Sequence, residues 1–68
     1  MGFLPSNITA EQAFSKGIKS TDLHAVAGWH GDHIRLTKKG SNENDRHREL
    51  QKRLTTEANK LADLEIQE

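Results

Sequence analysis

Four histidines are the side chains best suited to chemistry, and two of them stand with a carboxylate in the run His30-Gly31-Asp32-His33, between His24 and His47. Imidazole and carboxylate are both ligands for zinc-like metals. The His-x-x-His spacing alone does not define a site, and the chain has no cysteine to supply a thiolate. The expectation is therefore histidines in a polar setting, with no metal and no other cofactor. No glycine-rich phosphate loop and no nucleophile elbow are present, and nothing pairs an activated nucleophile with a base. The sequence reads as a non-enzymatic protein.

The basic residues are the second candidate group. Up to residue 53 there are nine Lys and Arg against six acids, and beyond it Lys60 stands against Glu57, Asp63, Glu65 and Glu68. The chain is neutral as a whole but split by sign along its length. The densest basic stretch holds Arg35, Lys38, Lys39, Arg46, Arg48, Lys52 and Arg53. Such a stretch is the electrostatic footprint of a polyanion binder or, equally, a solvated helix face. A formal charge of zero argues against strong non-specific affinity for DNA.

These groups must be positioned by very little core. The chain has 68 residues, and its large apolar side chains are seven Leu, four Ile, two Phe, Val26 and Trp29. That supports one small domain spanning 1–68, and ordering it costs nearly all that such a core returns. Self-association or a partner is expected to add the remainder. No apolar run is long enough to cross a membrane, and Met1-Gly2-Phe3-Leu4-Pro5 does not resemble a signal peptide. The expected location is cytoplasmic, with no membrane partner.

The fold class expected is mainly α, a small helical domain with two short helices, a short extended or hairpin segment, and a long C-terminal amphipathic helix. Residues 1–8 form an extended lead, with Pro5 biasing Leu4 away from helix and Phe3, Leu4 and Ile8 packing back on the domain. Thr9-Ala10-Glu11-Gln12 is a capping box, and Gly17 followed by Ile18 is a Schellman terminator. Ser20 or Thr21 caps a second helix that places Leu23, Val26, Ala27 and His30 on one face. Two readings compete for residues 25–37. Ala25–Trp29 and His33–Thr37 form a hairpin, or a helix ends near Trp29, turns over Gly28 to Gly31 and continues as one strand. Trp29 is read as a core anchor, and as an interaction hot spot only where it is exposed. Residues 37–42 are turn composition. Residues 43–66 form a long helix capped by Ser41 or Asn42, with a seam of His47, Leu50, Leu54, Glu57, Leu61 and Leu64 that Glu57 interrupts.

Ala13, Gly17, Ile18, Leu23 and Val26 fill the small, turn and wedge positions of a helix-turn-helix, so residues 9–29 resemble that DNA-binding motif. Leu36-Thr37-Lys38-Lys39-Gly40 ahead of a long helix is similar to the last wing strand and dimerisation helix of winged-helix repressors of the MarR type. The resemblance implies a small transcriptional regulator that binds double-stranded DNA as a dimer. Lys19, Ser20, Thr21 and His24 would then face a groove, while Arg35, Lys38, Lys39, Arg46 and Arg48 would hold phosphates. Leu50, Leu54, Leu61 and Leu64 would join two copies. The competing reading is a non-enzymatic adaptor or inhibitor whose leucine seam meets another protein.

Overall fold

The structure is a computed structural model and describes residues 7–67. The expected packing of Phe3 and Leu4, and the influence of Pro5, lie outside the described residues. Three helices follow one another: α1 (Ala10–Ser15), α2 (Ser20–Leu36) and α3 (Asn42–Gln67). No strand occurs among the described residues.

α1 begins as its sequence dictates. The Gln12 N–H donates to Thr9 Oγ1 at 3.1 Å, and the Thr9 N–H donates to Gln12 Oε1 at 3.1 Å. It ends in the expected Schellman geometry: Ile18 N–H donates to the Ala13 carbonyl at 2.9 Å and Gly17 N–H to the Phe14 carbonyl at 3.2 Å. Gly17 has φ +76°, a left-handed conformation that a β-branched side chain resists. Gly17→Val is expected to cost about 1–2 kcal/mol in denaturant unfolding. An unchanged midpoint would show that the turn does not need glycine.

The segment expected to turn at Gly28 to Gly31 does not. α2 runs through both glycines and ends at Leu36, so the hairpin and the strand are corrected to helix up to that residue, while Thr37 to Ser41 of the wing-like segment form a turn. The reason is tertiary. Leu23, Ala27 and His30 are buried and Ile34 is half-buried, all on one helical face against α3, and that continuous face outweighs the weak helix propensity of two glycines. At Gly31 a Cβ would lie 2.6 Å from Gln51 Nε2, the far end of a flexible side chain that can move aside. Asn44, itself buried, anchors the end of α2. Its Nδ2 donates to the Ile34 carbonyl at 2.9 Å and to Thr37 Oγ1 at 3.2 Å. The chain then turns with Ser41 N–H donating to the Lys38 carbonyl, and Gly40 takes φ +86°. Ser41 caps α3, its Oγ accepting from the Asn44 N–H at 3.1 Å.

α3 is the spine. Leu54, Ala58 and Leu61 are fully buried against Ala10 and Ala13 of α1, Leu23 and Ala27 of α2, and Ile8. Two glutamates of α3 also reach across to the starts of the other helices. Glu57 Oε1 accepts from the Ala10 N–H at 2.7 Å. Glu65 accepts from the Ser20 N–H at 2.9 Å and from Ser20 Oγ at 2.8 Å. A carboxylate at a helix N-terminus satisfies orphan donors and meets the positive end of the dipole. This explains the acid in the leucine seam: Glu57 is there to cap α1. The expectation that Ser20 or Thr21 caps α2 by its own side chain is corrected, because Lys19 is the capping position and Ser20 donates to Glu65. The Ser20 backbone N–H, then its hydroxyl, hold the Glu65 carboxyl below the usual range; burial opposes them, and the charge of Lys19 adds the smallest contribution.

Candidate functional site

Three surfaces carry the residues with chemical potential. The first is an aromatic cluster where α2 crosses α3. His30 Nδ1 and His47 Nδ1 lie 3.0 Å apart. The His33 ring stacks on His47 with centroids 5.1 Å apart and planes 21° from parallel. Trp29 closes the cluster, edge-on to His33 at 3.9 Å and to His30 at 4.9 Å between centroids. The positions follow from helix periodicity: His30 lies on the inner face of α2, His33 is one turn on, and His47 occupies the first seam position of α3. His30 is only 4% exposed. Burial, then the charges of His47 and His33, hold its pKa below the ordinary value. Among the described residues, no group of three or more histidine or carboxylate side chains converges so as to hold a metal ion. His24 stands apart from the cluster, exposed on α2.

The second surface is the outer face of α2. Trp29 is 54% exposed and Leu36 78%, which corrects the expectation of Trp29 as a core anchor. Ala25 is exposed beside them, and the 25, 29, 36 spacing puts all three on one helical stripe. The sequence offered a signal that was passed over: Leu23, Ala27 and His30 already fill the inner face, and Trp29 cannot share it in a helix.

The third surface is the α2–α3 turn. Arg35, Lys38, Lys39, Arg46 and Arg48 are all exposed there or in the adjoining turns. None of them enters an ion pair among the described residues, where the pair found is Lys60 Nζ to Glu57 Oε2 at 3.8 Å.

The residues assigned to a DNA groove do not gather with these cations. Lys19, Thr21 and His24 are exposed near the start of α2, about 18–25 Å from its other end by helical rise. Ser20 is buried and committed to Glu65. The turn at Gly17 is formed, but the two helices it joins do not cross: each packs on α3, and no Cα of α1 comes within 8 Å of a Cα of α2. Two of the leucines assigned to an interface are corrected. Leu54 and Leu61 have no exposed surface within a single chain and belong to its own core, while Leu50 and Leu64 are half-buried.

The fold and surfaces define a small all-α domain, a long helical hairpin with a short helix docked on its spine. Among the described residues, no helix is long and apolar enough to cross a membrane. Comparison with protein-family models found no match, and comparison with curated proteins and with solved structures found none either.

Proposed function

We propose that the chain is a non-enzymatic protein-interaction module that works through the outer face of α2. The observation that carries this reading is the exposure of Trp29 and Leu36 on one stripe of a helix whose other face is already buried. Tryptophan is among the residues most enriched where binding energy concentrates.

The occupant this stripe fits is a second copy. Trp29 lies near the middle of α2, so an antiparallel pair centred on it sets Arg35 of one chain close to Asp22 of the other. The molecule is also 41 Å long, with an excess of cations around the α2–α3 turn and an excess of acids around the far end of α3. Antiparallel pairing brings unlike ends together. Charge complementarity of this kind orients the partners and speeds encounter.

The test is the mass of the protein in solution over a concentration series, with Trp29→Lys as the variant. The wild type is expected to approach twice the chain mass while Trp29→Lys, altered at an exposed position, stays folded and single. A wild type that remains a single chain at millimolar concentration removes the second copy as occupant. A pull-down with nuclease then asks whether a different protein takes its place.

A second reading, binding of double-stranded DNA, rests on one observation: the cations of the α2–α3 turn are exposed and unpaired among the described residues. It predicts retardation of duplex fragments at low salt, and a salt slope reduced by about two phosphate contacts in Lys38→Ala with Lys39→Ala. No shift at micromolar protein removes it.

A further inference from the structure

We infer that the chain exchanges α3 with a second copy: the turn at residues 37–41 opens, and the α1–α2 arm of each chain packs on the α3 of the other. The contacts of the fold divide at that turn, and the outer face of α2 plays no part in the division. α1 and α2 both pack on α3, and no Cα of one comes within 8 Å of a Cα of the other. The core among the described residues therefore joins Ile8, Ala10, Ala13, Leu23 and Ala27, before the turn, to Leu54, Ala58 and Leu61, after it. Hydrogen bonds divide in the same way. Glu57 accepts from Ala10, Glu65 accepts from Ser20, and Arg53 donates to the Ile8 carbonyl at 3.0 Å, each pair spanning the turn.

A second copy supplies these partners as well as the chain itself does. Seated on a neighbour's α3, the arm recovers the same buried apolar surface and the same helix caps. What opening gives up is local to the turn. It breaks the bond from the Ser41 N–H to the Lys38 carbonyl at 3.0 Å, and the hold of Asn44 on the Ile34 carbonyl and Thr37. Exchange of an identical element is for this reason a low-cost route to a dimer.

Proximity opposes the exchange. A five-residue connection between Leu36 and Asn42 holds the arm and α3 at an effective concentration on the order of millimolar. Single chains prevail in dilute solution, and exchange is expected when chains refold near that concentration. The turn also sets the balance. Gly40 has φ +86° in the closed turn, and a Cβ there would meet nothing within 4 Å. A side chain at this position therefore acts through backbone strain alone, and opening releases that strain. Gly17 has φ +76° and a Cβ there also meets nothing within 4 Å. Its turn lies inside the arm and stays closed in both forms, so a side chain there weakens both alike.

The exchanged pair has its own shape. The single chain is 41 Å long, with the turn at one end of the helical hairpin. Opening there sets two packed units end to end, close to twice that length. Two chains paired through α2 lie side by side instead.

The test uses the full chain carrying Trp29→Lys, which removes pairing through the outer face of α2. The protein is unfolded in urea, refolded near millimolar concentration and diluted to micromolar. Light scattering then gives its mass, and small-angle X-ray scattering its longest dimension. The expected result is a pair nearly twice as long as the single chain that outlasts dilution, because α3 must leave its core before the chains part. Adding Gly40→Val is expected to raise the ratio of pairs to single chains about tenfold, as strain at positive φ implies. Adding Gly17→Val is expected to leave that ratio unchanged. Single chains alone after concentrated refolding overturn the exchange, as does a pair no longer than one chain. An equal ratio with and without Gly40→Val overturns it too. Wild-type pairing that Trp29→Lys abolishes, with no long pair, removes the exchange and leaves the α2 face standing; a long pair in a chain whose α2 face does not associate does the reverse. Refolding of the Trp29→Lys protein decides the matter even where Gly40→Val folds poorly.

Discussion

Leu54→Asp and Leu61→Asp each unfold the single chain. Both side chains have no exposure and sit at the centre of the packing of α1 and α2 on α3. Placing a carboxylate there without a partner costs several kcal/mol or forces it to stay protonated. A chain of this size has only about 3–10 kcal/mol of stability to lose. Circular dichroism is expected to show the helical signal gone at neutral pH. Retained helix with a change only in mass would mean that these leucines face another chain, and would restore the seam as an interface.

The second large effect is expected from Ala58→Leu. Ala58 lies between Leu54 and Leu61 in the same buried stripe, with no exposed surface. A larger side chain there pushes α1 or α2 off the spine, at a cost of about 1–3 kcal/mol. The control is Ala62→Leu, one turn further along α3 and half-buried, which is expected to change the urea midpoint little. Equal effects at the two positions would show that the packing at Ala58 is looser than its burial implies.

The parts of the fold legible in the sequence were those whose information is local. The Thr9–Gln12 box, the left-handed Gly17, the Ser41 cap and the extent of α3 each follow from a few adjacent residues and their hydrogen bonds. Residues 25–37 were misread because two glycines within four positions carry a strong local signal for a turn. The helix there is decided by Leu23, Ala27, His30 and Ile34 finding α3. Glu57 and Glu65 were illegible as caps, since their partners lie 47 and 45 residues away in sequence. For the candidate site, the histidines are recognisable by type, and His30 and His47 already fall on the inner faces of their helices. Their meeting depends on the antiparallel register of α2 against α3, which no short pattern encodes. Trp29 reads as a core anchor by residue type, although helical phase already puts it outside, where the same side chain reads as an interaction hot spot.

Among the described helices α1 packs on α3 alone, six residues long and held by a capping glutamate, two alanines and its Schellman turn. It is therefore a separable cooperative unit. The α2–α3 hairpin can persist while α1 lifts away, and the free energy of that partial opening is set by Ile8, Ala10, Ala13 and the Glu57 cap, not by the whole core. Amide hydrogens of α1 would then exchange with solvent through this excursion, sooner than those around Leu54 that wait for global unfolding. A protease would likewise meet Lys16 and Lys19 first, at a hinge whose population is governed by how firmly one short helix lies on its support.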